Sequence, residues 1–218
     1  MDFEALWLSL QLAWWTTVTL FALGLPLAYW LAVTRWRLKF LLEAIVVLPM
    51  ILPPTVLGFF ILIAVGPLSP LGRSYEAIVG HSLAFSFPGL LLASVLYSLP
   101  FAVRPFTAAF AGVDRRLVEA SWCLGVSRLR TFFRIAFPLS WAGILTGVIL
   151  SFAHTLGEFG VVLMVGGNIP GVTRTVSISI YDEVQAVNYG TAAMTSLVLL
   201  ASSFAAVSAI HLVNRKTL

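Results

Sequence analysis

Charge is what this chain has least of. Asp, Glu, Lys and Arg together make up 10% of its 218 residues, against the quarter or so usual in soluble domains, so an ordinary water-soluble fold is excluded. The only lysines are Lys39 and Lys216, and neither follows a GxxxxG run, so there is no Walker-type phosphate loop. GxSxG, HExxH and CxxC are also absent, and Cys123, the single cysteine, cannot form an intrachain disulfide. It falls in a proposed cytoplasmic helix, where a buried, inert thiol is expected. His81, His154 and His211 are scattered over separate segments. Ser151 and His154 share a helix face, but a satisfied or pore-lining histidine is a better reading of His154 than a catalytic pair. A membrane-bound enzyme would need a convergent nucleophile or metal set, and none is found.

Apolar residues are abundant, at 60% of the chain, and the mean hydropathy is +0.99. Five stretches contain no Asp, Glu, Lys or Arg: 5–34, 44–72, 77–103, 135–157 and 184–214. About 20 apolar residues cross the hydrocarbon core as a helix, and in lipid such runs must satisfy their own backbone. The chain is therefore expected to be an all-α membrane protein, a single domain over 1–218. Its five transmembrane helices are placed near 10–33, 43–65, 83–104, 139–159 and 191–213. The flank Met-Asp-Phe-Glu is acidic and the run after it long, which favours a retained first span over a cleaved signal peptide. No low-complexity tract or internal repeat is evident.

The basic residues are distributed unevenly. Arg35, Arg37 and Lys39 follow the first span; Arg104, Arg115, Arg116, Arg128, Arg130 and Arg134 lie between the third and fourth; Arg215 and Lys216 follow the fifth. An odd number of spans puts these three regions on one side, leaving only Arg73 and Arg174 on the other. The positive-inside bias then sets the N-terminus outside and the C-terminus inside, with Trp30, Trp36 and Trp141 near the inner interface. The net charge of +4 is accounted for by this asymmetry and needs no nucleic-acid partner.

The loop 105–138 is the largest basic segment, and Glu119 to Pro138 within it reads as two short helices around a glycine turn. Val113, Leu117, Ala120 and Leu124 fall on one helical face. Gly125 is suited to the left-handed stop, Ser127 to an N-cap, and Pro138 to closing the second helix. An exposed helical knuckle on the water side of a membrane protein suggests a lever for a soluble partner.

Within the spans, Pro49, Pro53 and Pro54 each remove a helix hydrogen bond and leave local kinks, either a functional hinge or an incidental bend. The pairs Gly24 with Ala28 and Gly143 with Gly147 permit close helix packing. The span interiors hold no Arg or Lys to build a tight anion site. Thr55, Ser94, Ser98, Ser151 and Thr155 are candidate hydroxyls along a polar route, although such groups usually bond their own backbone. Glu158, at the end of the fourth span, would repel any anion passing beside it, a doubly charged one most strongly. At about 4 Å the repulsion would be roughly 8 kcal/mol at an effective dielectric near 20. A structural role is expected instead, bonded to the turn of Gly157 and Gly160 or paired with Arg174.

The pattern Glu119-Ala120-Ser121…Gly125…Ile135…Pro138 resembles the EAA-type cytoplasmic loop of type I ABC importer permeases. Three further stretches are similar, over essentially the whole chain, to the permease subunit of bacterial molybdate importers. They are Leu156-Gly157-Glu158-Phe159-Gly160; Asn168-Ile169-Pro170-Gly171-Val172-Thr173-Arg174-Thr175 with Ile180-Tyr181; and Leu48-Pro49…Leu52-Pro53-Pro54. The Gly-Glu-Phe-Gly element also occurs in sulfate permeases, and the family often has a second Ala where Ser121 stands. The resemblance implies a multi-pass permease of the bacterial inner membrane, a homodimer bound to two ABC ATPase subunits that carry the ATP and Mg. This chain itself would hold no cofactor or metal and catalyse nothing. A binding protein would deliver the oxyanion outside. Glu119, Ala120, Ser121, Leu124, Gly125 and Pro138 would couple to the ATPase; Pro53, Pro54, Thr55, Ser151 and Glu158 would belong to the route or gate. Asn168, Thr173 and Arg174 either meet the binding protein or form a plain surface loop. Sulfate, tungstate or another solute remain alternative cargoes. A secondary transporter or channel fits less well, having no use for the knuckle and normally carrying ionisable groups near mid-bilayer.

Overall fold

The computed structural model describes residues 2–215, with side chains up to residue 208; Lys216, part of the inner basic set above, lies outside the described residues. Among the described residues every regular element is helical. Helix α1 (Phe3–Val33) has 31 residues, about 45 Å at 1.5 Å per residue and more than a bilayer core requires. It begins on Asp2, whose side chain accepts from the Ala5 N–H at 3.0 Å.

Prolines break the next expected span. Helix α2 (Lys39–Ile51) and helix α3 (Pro54–Val65) meet at 112°. Leu52 and Pro53 each precede a proline, and both are held extended, with ψ 142 and 135°, because the following ring excludes the helical region. The single kinked span near 43–65 is therefore two half-helices. Pro49 is accommodated inside α2 without a break. Helix α4 (Pro70–Val79), not expected from sequence, starts on the Ser69 cap and stops at Gly80, φ +84°. Helix α5 (Phe87–Ala111) runs beyond the boundary near 104, so the water-side segment starts later than expected.

After it come α6 (Arg115–Cys123), α7 (Arg128–Thr131), a π turn (Phe132–Ala136) and α8 (Phe137–Leu139). Pro138 does not close this helix. The π turn hands the Phe137 N–H to the Phe132 carbonyl, so the ladder is already offset where the proline lacks its donor. The helix Arg128–Leu139 passes through Ser140 into α9 (Trp141–Leu156) with a 73° bend. Helix α9 ends at Gly157, and α10 (Gly160–Gly166), α11 (Val176–Gln185) and α12 (Tyr189–Arg215) complete the chain. Helices α1, α5 and α12 are long and apolar enough to cross a membrane, and counting each bent pair as one span brings the total to five.

Helices α1, α5 and α9 form the main core, around Leu20, Leu31, Val103, Phe106 and Ile144. Small residues set its closeness: a Cβ on Gly143 would lie 2.5 Å from Ala109 Cβ, and one on Gly147 would lie 2.5 Å from the Phe106 ring. These contacts are the packing role assigned to both glycines. A smaller cluster joins α3, α5 and α10 through Ile61, Val65, Ala93, Val161 and Val165. Helix α12 leaves Met194, Leu197, Leu200 and Phe204 exposed, a face open to lipid or to a second subunit.

Candidate functional site

The knuckle is built by its caps. The Asp114 carboxylate accepts from the Arg116 N–H at 2.9 Å and starts α6. At the other end Gly125 takes φ +76°; its N–H donates to the Trp122 carbonyl at 2.9 Å, and the Val126 N–H to the Ser121 carbonyl at 3.1 Å. Those two bonds make a Schellman stop. Ser127 then caps α7, accepting from the Arg130 N–H at 3.4 Å. Buried Ser121 and Thr131 share a hydroxyl bond of 2.8 Å that ties α6 to α7; a second alanine at 121 would lack it. Arg128 lies over the Trp122 ring at 5.6 Å.

The outer side of the knuckle is bare. Leu117 and Ala120 are exposed there and Leu124 is 83% exposed; Glu119 and Trp122, also exposed, face the cleft between α6 and the ends of α1 and α5, and Glu119 has no ion-pair partner among the described residues. Cys123 is exposed rather than buried, because α6 stands off the bundle and buries only its Ser121 side. Pro138, proposed for coupling, sits instead at the root of the knuckle beside the bend at Ser140.

A second cluster lies between α5 and α9. The two helices run antiparallel, which sets Ser94 and Ser98, one turn apart, opposite Glu158. Ser94 Oγ donates to Glu158 Oε2 at 2.6 Å and Ser98 Oγ to Oε1 at 2.7 Å. Ser98 Oγ is also 2.9 Å from both Thr155 Oγ1 and His154 Nδ1. A hydroxyl has one proton and two lone pairs, so with its proton on Glu158 it accepts from Thr155 and from His154 Nδ1–H. The His154 ring stacks on Phe101 at 3.8 Å. Glu158 is 4% exposed. Its partners differ from both expected: two serine hydroxyls hold it, and neither the glycine turn nor Arg174 does. Ser94 and Ser98 consequently point their protons at a carboxylate and not at a passing oxyanion. The signal was two i,i+4 polar pairs, Ser94/Ser98 and His154/Glu158, on facing helices.

Next to that cluster the two backbone breaks meet. A Cβ on Gly160 would lie 2.8 Å from Pro54 Cβ, and one on Gly58 2.8 Å from Met164 Cβ, so the half-helices α3 and α10 pack nearly backbone to backbone. Pro54 is thus at this junction, while Thr55 is exposed beside it. Ser151 is buried and donates to its own helix at the Val148 carbonyl, 3.0 Å away.

The segment 167–175 is closed by its own side chains. Thr173 is fully buried, donating to the Gly166 carbonyl at 2.7 Å and accepting from the Ile169 N–H at 2.9 Å; this removes it from any contact with a partner. Asn168, at φ +60°, donates to both Asp182 oxygens, at 3.2 and 3.0 Å, and accepts from Arg174 Nε at 2.8 Å. Arg174 reaches Asp182 at 3.6 Å, which explains why it is not available to Glu158. Asn168 and Arg174 stay partly exposed.

The Glu158 clamp makes a direct prediction. Glu158→Leu leaves Ser94 without its partner and should lower stability by about 1–3 kcal/mol, whereas Glu158→Gln can still bridge the two hydroxyls. Ser94→Ala with Ser98→Ala strands a buried carboxylate and should be worse than either. Adding Glu158→Leu to that pair should recover part of the loss. Thermal unfolding in detergent measures all four; additive losses without recovery would contradict the clamp.

A family of proteins described as binding-protein-dependent transport system inner membrane components matches residues 24–218. The molybdenum transport system permease protein ModB of Azotobacter vinelandii is 47% identical over 191 residues, covering 88% of this chain and 84% of that protein. Its Escherichia coli K12 counterpart is 36% identical over 186 residues, covering 84% and 80%. A crystal structure of a bacterial alginate ABC transporter in complex with an alginate-pentasaccharide-bound periplasmic protein contains a chain of the same fold, with TM-score 0.75, 16% identity, and coverage of 98% and 77%. With that fold, an exposed knuckle and bent half-helices, the chain belongs to the family of binding-protein-dependent transport system inner membrane components, in the company of molybdenum transport permeases.

Proposed function

We propose that this chain is the membrane-spanning subunit of an ATP-binding-cassette importer that carries molybdate inward. The 47% identity to a molybdenum transport permease, over 88% of the chain, is the observation that carries the cargo. The absence of a GxxxxGK run from the sequence supports the reading that ATP and Mg are held by a partner ATPase subunit. The bare outer face of α6, with Leu124 83% exposed, is the surface that would seat in that ATPase. Two copies of the chain would pair, using apolar faces such as that of α12, and a binding protein would dock near Asn168 and Arg174.

Mechanism follows from the connections. Movement of α6 reaches the helix Arg128–Leu139 through the Ser121–Thr131 bond, then α9 through Ser140, whose hydroxyl donates to the Ala109 carbonyl at 3.2 Å. At its far end α9 delivers this motion to the junction of Pro54 and Gly160, where two backbone breaks make a natural gate. The route past it would be lined by hydroxyls and backbone, with no buried cation to trap a dianion.

Orientation is N-terminus outside and C-terminus inside, with the knuckle cytoplasmic. Reporter fusions after Lys39, Arg116 and Arg215 should all give cytoplasmic signals, and one after Arg73 an external signal; an external signal at Arg116 would reverse the topology.

Coupling is tested in the assembled transporter. Gly125→Val adds a side chain that meets nothing within 4 Å but must hold φ +76°, a strain of about 1–3 kcal/mol, and Glu119→Lys reverses the exposed charge. Both should insert normally yet lose molybdate uptake and co-purify less ATPase. Full uptake by both variants would reduce the knuckle to a connector. Uptake of sulfate in preference to molybdate by the unmodified complex would reassign the cargo.

A further inference from the structure

Two clefts lie side by side at the root of the knuckle, with Tyr29 and Arg128 in the lining of both. The first, about 690 Å³, lies between α1 and the helix Arg128–Leu139; Phe21, Leu25, Phe133 and Phe137 line it, and Arg128 is its one charged residue. The second, about 670 Å³, lies where the ends of α1 and α5 meet α6. Arg35, Arg115 and Arg128 line it, with Glu119 its one carboxylate. None of the three arginines forms an ion pair among the described residues. The flanking helix is itself amphipathic: Leu129 and Phe133 are 68% and 60% exposed, while Arg128, Arg130 and Arg134 share the same short stretch. An element with that pattern lies in the membrane interface, its apolar side in acyl chains and its cations among headgroups.

We propose that the two neighbouring clefts together bind one anionic phospholipid of the inner leaflet, which would straddle Tyr29 and Arg128. An acyl chain would occupy the apolar groove beside α1, and the phosphate would sit among Arg35, Arg115 and Arg128. The two-part lining matches the two-part ligand, an apolar trough beside a cavity whose guanidiniums outnumber its carboxylate and form no ion pair among the described residues. A soluble anion would leave the apolar trough empty, and a neutral acyl chain would leave the arginines unanswered. Guanidinium is the side chain best matched to phosphate oxygens, and the excess of positive charge selects a net-negative headgroup over a zwitterionic one. Because Arg115 opens α6 and Arg128 opens α7, the bound headgroup would brace both limbs of the knuckle against the bilayer. The inference rests on the proposed inward orientation for the leaflet, but binding in detergent does not depend on it, so a failure here and a reversed topology are separable.

The test uses the complete transporter, purified with its ATPase in mild detergent and exposed to equal amounts of phosphatidylethanolamine and phosphatidylglycerol, with retained lipid read by native mass spectrometry. Phosphatidylglycerol should be retained preferentially. Arg35→Gln with Arg115→Gln should weaken its retention by roughly 25-fold, about fivefold for each basic residue removed. Ala22→Trp, which fills the apolar groove without altering charge, should displace it as well, and guards against a mere loss of the knuckle fold in the arginine variant. Equal retention of the two lipids, or undiminished phosphatidylglycerol on both variants, would overturn the proposal. Loss of ATPase from the arginine variant with its lipid still bound would assign the cleft to the ATPase and overturn it equally.

Discussion

The contact between α5 and α9 is made in two chemistries along one line. Toward the water-side bend it is steric: glycines 143 and 147 admit Ala109 and Phe106 at distances no side chain would allow. Further along it is polar, with two serine hydroxyls of α5 gripping the carboxylate of Glu158. Close packing alone would leave the helices free to slide by a turn, since small-residue stripes are repetitive. A buried carboxylate that accepts from two fixed donors removes that freedom, because any slip strands an unpaired polar group in an apolar interior. The register so set determines where α9 ends and therefore where the Gly157–Phe159 break falls.

That break is useful only because a second one is beside it. Helix α2 is stopped by the Leu52-Pro53-Pro54 sequence, and α3 restarts against α10 with Pro54 on Gly160. Non-helical backbone at membrane depth is tolerated where protein covers it, and the two adjacent breaks cover one another. The knuckle connects to this junction through one bent helical path, from the Ser121–Thr131 bond to Ser140 and along α9.

Much of this was legible in the sequence because it depends on local rules. Gly125 had to be left-handed, Ser127 was a ready cap, and charge-free runs of this length had to be helices. The exceptions arose where a distant neighbour or a backbone offset decided. Glu158 found Ser94 and Ser98 because α5 and α9 run antiparallel; each helix shows its own polar pair, and only the packing matches the two. Arg174 was claimed by Asn168 and Asp182 in a loop folded back on itself. Thr173, polar and set among Gly and Pro, reads as surface yet is the buried tie of that loop. Pro138 reads as a helix stop, but the π turn before it absorbs the missing donor. Cys123 is exposed because its helix buries only one narrow side.

The chain carries its own probe of the movement proposed for the knuckle. Cys123 is the only cysteine in the sequence and lies exposed on α6. A spin label on it, in the proposed two-copy complex with cysteine-free ATPase subunits, would report the distance between the two knuckles by pulsed electron resonance. The distance should shorten when ATP and Mg are added to a hydrolysis-deficient complex and return when nucleotide is removed. An unchanged distance, in a labelled complex that still transports when its ATPase is active, would contradict the lever.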